Sequence, residues 1–218
     1  MLKGRFSIGR HIDKGSNGSI YKVTDLQNPK IPLVIKITDD CMPFTSEINA
    51  MRKIRPSTTT RPDDSTPSVI DYGLINHELD GEVTMLAYLI MPRYSHNLDT
   101  WFEKMKFTFT NETILHLAQR LLSVFEEIHS AGYVYNDLKL DNIMVGYGQK
   151  LLKVNGEERR NSLEGVSVHL VDFGYASKFM KKGLHIAEAN VKSFRGNMMF
   201  SSLNQLQFKT PSRRDDMI

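Results

Sequence analysis

The sequence predicts an α+β fold, with strands gathered in roughly the first ninety residues and helices after them. Three observations predict it. Short apolar runs at Leu33–Ile37, Val69–Ile75 and Thr84–Met91 alternate with polar, turn-rich stretches, the pattern of strands. A much longer segment, Asn111 to Ala131, repeats apolar residues at helical spacing and stops at Gly132. Directly after it, Tyr135-Asn-Asp-Leu-Lys-Leu-Asp-Asn142 packs an acid, a cation and an amide into one loop.

Composition narrows the class. The 218 residues suffice for one large domain or two small lobes, and 40% are apolar, enough for a real core. A net charge of +3 from 28 basic and 25 acidic side chains describes a mixed solvated surface and gives no case for nucleic-acid binding. Cys41 is the only cysteine, so an internal disulfide is excluded. The longest apolar run, Met85–Met91, is too short for a bilayer span, and Met1-Leu-Lys-Gly-Arg-Phe-Ser7 has no signal-peptide core. An intracellular protein, cytoplasmic or nuclear, is expected.

In chain order, residues 5–23 read as two strands around Asp13-Lys-Gly-Ser-Asn-Gly18. Lys36 lies inside the buried-strand pattern Leu33–Ile37, where a lysine is costly unless paired. A helix follows from about Phe44 to Arg55, stopped by Pro56. Glu47, Ala50, Met51 and Ile54 share one face of it, so Glu47 needs a cation, and Lys36 is the candidate. Strands Val69–Ile75 and Thr84–Met91 join through a turn at Asp80-Gly81. Leu98–Lys106 is a short helix. Asn111–Ala131 is the longest, with Ile114, Leu117, Ala118, Leu121, Leu122, Phe125 and Ile128 as its apolar stripe. His116 and His129 have no Cys/His cluster beside them and read as surface or core histidines. The segments 57–67 and 146–165 read as loops.

The chemistry concentrates in two places. Asp137, Lys139 and Asn142 follow D-x-K-x-x-N spacing, and Asp172-Phe-Gly174 ends the apolar run Val166–Val171. Together they suit phosphoryl transfer: Asp137 can accept a hydroxyl proton, Lys139 can neutralise the moving group, and Asn142 and Asp172 offer oxygen ligands to Mg²⁺. No G-x-x-x-x-G-K-[ST] string is present, so a P-loop NTPase is not supported.

The loop and the D-F-G triplet resemble the protein kinase family, and Ser212-Arg-Arg-Asp-Asp216 resembles the casein kinase I superfamily, with vaccinia-related kinases also close. The resemblance covers nearly the whole chain in order. It implies a bilobal α+β fold, with a small β-rich N-lobe over residues 1–92 and a mainly helical C-lobe over 93–218. It implies ATP as phosphoryl donor, Mg²⁺, and protein serine or threonine as acceptor. Ile12, Gly15, Gly18 and Ile20 would cover the nucleotide, Val34 would roof the adenine pocket, and Lys36, tied to Glu47, would grip phosphates. Met91 would be the gatekeeper. Pro92 would offer its carbonyl and Tyr94 its N–H to the base, and Met144 would floor it.

Departures from the family pattern carry expectations of their own. Asp13 stands where the family has its first loop glycine. Tyr135-Asn136 replaces His-Arg; without the arginine, phosphorylation of the activation segment is not expected to be the on-switch, and Tyr135 is expected to pack on Phe173. The activation segment, 172–204, carries Lys178, Lys181, Lys182, Lys192 and Arg195, which suits acidic or already phosphorylated substrates, although Met199 replaces a phosphate-binding arginine. In the family, Arg213–Asp216 opens a central helix with more helices beyond it; a shortened C-lobe, with possible self-association through it, is therefore expected. A pseudokinase serving as a regulatory or scaffold module is the competing reading.

Overall fold

The structure is a computed structural model and describes residues 1–15, 18–56, 65–79, 81–146, 153–154, 157–158 and 167–217. The chain divides into two units, Met1–Thr60 with Pro67–Arg93, and Arg61–Thr66 with Tyr94–Ile218.

The first unit is built on an antiparallel sheet of β1 (Phe6–Gly15), β2 (Gly18–Asp25), β3 (Leu33–Thr38), β4 (Asp71–Leu79) and β5 (Glu82–Pro92), ordered β1-β2-β3-β5-β4. Side chains alternate between the faces of a sheet, so the pairing fixes what each face buries. Leu33, Ile35, Tyr88 and Ile90 join Leu2, Phe6 and Val23 in one apolar core. Val34 opposite Met91 and Lys36 opposite Leu89 therefore face the other way. That face is met by α1 (Cys41–Ile54), which buries Phe44, Glu47, Ile48, Ala50 and Met51.

Two boundaries differ from the sequence reading for local reasons. Helix α1 starts ahead of Phe44 because the Asp40 side chain caps it, accepting from Met42 N at 3.2 Å, and Pro43 is harmless in a first turn that lacks N–H partners anyway. Strand β4 runs past Ile75 to Leu79 because its polar end still completes the ladder with β5, down to Leu79 opposite Glu82.

Arg5 clamps the ends of β1 and β2: Nε and Nη2 reach the two Asp25 oxygens at 2.9 and 2.6 Å. The guanidinium holds the Asp25 carboxyl down at about 2, below its usual value. A depressed carboxyl contributes stability that is complete above its unfolded value and fades as pH falls toward the folded one. We expect the stability lost between pH 4 and pH 2 to shrink in Asp25→Asn, measured by urea denaturation across that window. An unchanged pH slope would remove the clamp from the account.

The second unit is mainly helical. The Asn97 side chain caps α2 (Leu98–Lys104), accepting from Thr100 N at 2.9 Å. The helix stops short of Lys106, where the backbone turns left-handed at Lys106 and Phe107 (φ 55 and 58°). Thr110 caps α3 (Asn111–Ser130), and Gly132 takes the left-handed conformation (φ 85°) that ends it. The buried face of α3 is Thr113, Leu117, Val124, Phe125 and Ile128. This corrects the stripe read from sequence: Ile114 and Leu122 are more than half exposed. Apolar periodicity gives a wide stripe, and only packing decides which edge of it is covered.

Short strands complete the unit. β6 (Tyr133–Val134) pairs with β11 (Ser177–Lys178), β7 (Ile143–Val145) with β10 (Val168–Leu170), β8 (Lys153–Val154) with β9 (Glu157–Glu158), and β12 (Met180–Lys181) with β13 (Leu184–His185). The paired strands β8 and β9 belong to the segment read as a loop; the rest of residues 147–166 lies outside the described residues, as do 57–64 of the earlier loop. Helix α4 (Leu203–Leu206) follows, and Arg213–Asp216 forms a 3₁₀ turn where the resemblance placed the start of a long helix. Among the described residues, no helix is long and apolar enough to cross a membrane.

Candidate active site

In the first unit, the buried lysine read from β3 has the partner it needs. Lys36 Nζ donates to Glu47 Oε2 at 2.8 Å, with both side chains almost fully buried. Glu47 reaches it because α1 crosses the Lys36 face of the sheet. Taking one charge out of a buried pair typically costs about 3–5 kcal/mol. We therefore expect Lys36→Met to lower stability by that order in urea denaturation; a loss under about 1 kcal/mol would mean the pair is not the constraint it looks like. At the tip of the first hairpin, Gly18 has φ 128°, and a Cβ there would overlap the Ile37 carbonyl. Gly15 has open space around it, so the close approach is required at Gly18 alone. Ile12 is exposed on β1, Ile20 and Val34 lie on the paired β2–β3 ladder, and Met91 is buried on β5 before Pro92.

In the second unit, the loop between β6 and β7 brings Asp137, Lys139 and Asn142 together. Asp137 is 1% exposed. Its Oδ2 accepts from Lys139 Nζ at 3.0 Å and from Asn142 Nδ2 at 2.8 Å. Its Oδ1 is buried and accepts no hydrogen bond among the described residues. Burial raises the Asp137 carboxyl above its usual value, against the lowering effect of Lys139 and Asn142, while the Asp172 charge pushes the same way as burial. Asn142 spends its amide nitrogen twice on Asp137, the second time on the backbone carbonyl at 2.9 Å.

Asp172 sits at the end of the strand that pairs with β7, and Val171 N donates to Asn142 O at 3.0 Å. Both Asn136 (φ 69°) and Asp172 (φ 59°) are left-handed, a conformation that Asn and Asp tolerate best after glycine. This gives a backbone reason for an asparagine at 136. Tyr135 meets Phe173 edge-to-face at 5.3 Å, as expected, and its hydroxyl donates to the Val171 carbonyl. Tyr94 stacks on His169 at 4.2 Å, and Met144 is opposite His169 in the β7–β10 pair.

Two residues that matter here, Asp215 and Asp216, were given no role at this loop from sequence. Asp216 is 5% exposed and grips the loop from below: Oδ1 accepts from Asn136 N and Oδ2 from Tyr135 N, both at 2.8 Å, while His129 Nε2 lies 2.8 Å from Oδ2. Asn136 in turn donates to Tyr175 O and Ser177 Oγ, each at 2.9 Å, tying the loop to the segment after Asp172. Asp215 accepts from Ser202 Oγ at 2.6 Å and from Ser212 N at 2.7 Å, anchoring the far end of that segment. Only the doubled acid at 215–216, beside two arginines, hinted at any of this. A cavity of about 440 Å³ lies along the same segment, lined in part by Lys178, Lys192, Arg195 and Lys209. Glu188 accepts from Lys209 and Arg214 nearby.

A buried acid held by a lysine and an amide stands on this loop, and a second acid, Asp172, follows the strand that pairs with β7. The family model for the protein kinase domain matches residues 6–202, and the chain belongs to that family. Within it the chain is casein kinase I-like. It is 25% identical over 213 residues to a probable casein kinase I homologue of Encephalitozoon cuniculi, covering 97% of this chain and 58% of the relative. A casein kinase I homologue of Kluyveromyces lactis, RAG8, is 25% identical over 217 residues, and casein kinase I homologue 1 of Saccharomyces cerevisiae 26% over 214; each match covers 97% of this chain and 35% of the relative. The chain thus spans between a third and three-fifths of the length of these relatives.

Proposed function

We propose that this chain transfers the γ-phosphoryl group of ATP to serine or threonine hydroxyls of protein substrates. The observation that carries the reading is the Asp137 carboxylate: one oxygen is held by Lys139 and Asn142, and the other, buried, accepts no hydrogen bond among the described residues and so keeps its lone pairs for a substrate proton. Its raised basicity suits accepting that proton. Lys139 stabilises charge on the transferring group.

Lys36, fixed by Glu47, holds the remaining phosphates. The backbone at Gly15 and Gly18 covers the phosphates, and Ile12, Ile20, Val34, Met91, Pro92, Tyr94 and Met144 are the residues assigned to the rest of the nucleotide. Asn142 and Asp172 are hard oxygen donors of the kind Mg²⁺ prefers, and Asn142, with its nitrogen engaged by Asp137, has its amide oxygen left for a cation. When bound, Mg²⁺ supplies positive charge that offsets the phosphate oxygens. The lobes are residues 1–92 and 93–218. An intracellular setting, cytoplasmic or nuclear, goes with ATP as donor. Lys178, Lys192 and Arg195 around the cavity favour acidic or already phosphorylated substrates. Self-association through the exposed edge of α3 (Ile114, Leu115, Leu122) belongs to the same proposal.

The test is radiolabelled-ATP transfer to casein and to a basic protein, by this chain and by any longer natural version. Mg²⁺-dependent labelling of serine or threonine is expected. Nucleotide binding without transfer from either form would instead assign a regulatory module. Regulation is tested alongside. Because Asn136 holds the activation segment by neutral hydrogen bonds, phosphatase treatment is expected to leave activity within about two-fold. Silencing by phosphatase, with recovery on rephosphorylation of that segment, would overturn this.

A further inference from the structure

Strand β10 carries a histidine where an apolar side chain would pack without help. Val168, His169 and Leu170 are 4, 3 and 0% exposed. An imidazole buried between two aliphatic neighbours is costly unless it is hydrogen-bonded. Here His169 Nε2 lies 2.9 Å from the Oγ of Ser167, which is itself buried. The strand that carries the ring is fixed as well. It pairs with β7 from Val168 to Leu170, and Leu170 N donates to the Ser65 carbonyl at 3.0 Å.

The ring held in this way is stacked on Tyr94, with centroids 4.2 Å apart and planes at 24°. Just after Tyr94 the backbone clips onto β7. Ser95 N donates to Val145 O at 2.8 Å, Val145 N donates to His96 O at 2.9 Å, and Asn97 bridges to Met144. Tyr94 lies one residue before these clips, and its stack on His169 carries the hold back to it. Met144 stands directly opposite His169 in the β7–β10 pair, so the two side chains share a face of that sheet. Tyr94, Met144 and His169 thus gather at one place, and the first two are nucleotide residues in the proposed reaction.

We infer that His169 is a positioning residue for the nucleotide. Bonded to Ser167 and stacked on Tyr94, it fixes the direction of the Tyr94 N–H that the adenine base meets. This rests on the kinase reading and deepens it: the donor to the base is set by a buried side chain acting through another. A donor held in place before the ligand arrives needs no ordering on binding, so the hold is realised as affinity for the base. An aromatic pair is typically worth about three- to ten-fold in an equilibrium constant. The phosphates and the accepting hydroxyl are met by other residues, so only the base end of the nucleotide should follow His169.

The experiment titrates the whole chain with mant-ATP, a fluorescent adenine nucleotide, in Mg²⁺ buffer, and displaces it with adenosine or with tripolyphosphate. His169→Ala is expected to weaken mant-ATP and adenosine about three- to ten-fold and to leave tripolyphosphate within about two-fold. In turnover, KM for ATP should rise by the same factor, with kcat within about two-fold of the parent. His169→Phe keeps a flat ring and should recover most of the loss. Tyr94→Ala removes the stack from its other partner and should show the same split between adenosine and tripolyphosphate. Adding His169→Ala to it should cost nothing further, because the two side chains act as one unit. Should His169→Ala fail to fold, Tyr94→Ala and His169→Phe decide the matter: the first must lose adenosine alone, and the second must bind within about two-fold of the parent. Parent-like affinity in His169→Ala, an equal loss for adenosine and tripolyphosphate, no recovery in His169→Phe, or additive losses in the double variant overturns the inference while the kinase reading stands. A parent chain that binds no mant-ATP removes the nucleotide reading itself, and the inference with it.

Discussion

Asp137→Asn is expected to cut phosphoryl transfer by about 10²–10⁴-fold, the usual worth of a positioned general base, and to leave ATP affinity within a few-fold. Asparagine fits the same space and still accepts from Lys139 and Asn142 through its oxygen, but cannot take a proton from a substrate hydroxyl. The same substitution carries a stability signature. Burial raises the Asp137 carboxyl, so the folded chain holds that proton more tightly than the unfolded one. A raised carboxyl contributes stability fully below its unfolded value and loses it as pH rises through the folded value. At neutral pH the buried carboxylate is thus a cost, and Asp137→Asn should be at least as stable as the parent by thermal melting. A variant that turns over normally would dismiss Asp137 as the base. One that is inactive but several degrees less stable would point to a structural role instead.

Asp216→Ala is expected to have the largest effect on the fold of the site. The carboxylate is buried and receives the Tyr135 and Asn136 N–H groups and His129. Removing it strands backbone donors inside the protein, at about 1–3 kcal/mol each. A total near 3 kcal/mol is a large share of an ordinary stability of about 5–15 kcal/mol. For a chain of this size it lowers the melting temperature by roughly 6–12 °C. Asp137 is next in the chain, so turnover should fall steeply even where the variant is fully folded, with the KM for ATP little changed. Asp216→Asn keeps one acceptor oxygen and should recover part of both losses. If Asp216→Ala melts and turns over like the parent, the loop is held by something else.

These two residues were unequally legible. Asp137 stands in a local pattern, D-x-K-x-x-N, whose chemistry is complete within six residues. Asp216 acts on a loop about eighty residues earlier, and no spacing rule connects the two. Lys36 and Glu47 fall between these cases. A lysine in an apolar strand demands a counter-charge, and a glutamate on a helix stripe demands a cation, so the pairing could be argued from cost alone. Asn136 was visible as a missing arginine; its left-handed backbone and its bonds to Tyr175 and Ser177 were not. The α3 stripe failed at its edges for a related reason. Periodicity states which side chains would like cover, and Ile114 and Leu122 show that liking is not the same as finding a neighbour.

The sequence by itself determined the order of strands and helices, the grouping of an acid, a cation and an amide in the 135–142 loop and the demand that Lys36 be paired, because each depends on neighbours within a turn or a strand. The tertiary structure alone decided three things: which Asp137 oxygen is held and which accepts nothing among the described residues, that Asp216 supports the loop, and that Gly196 sets an exposed apolar turn against it. Those are matters of distance between groups far apart in the chain. A local pattern can state what a buried carboxylate or an exposed methionine costs, but only the assembled backbone places the groups that meet or leave unmet that cost.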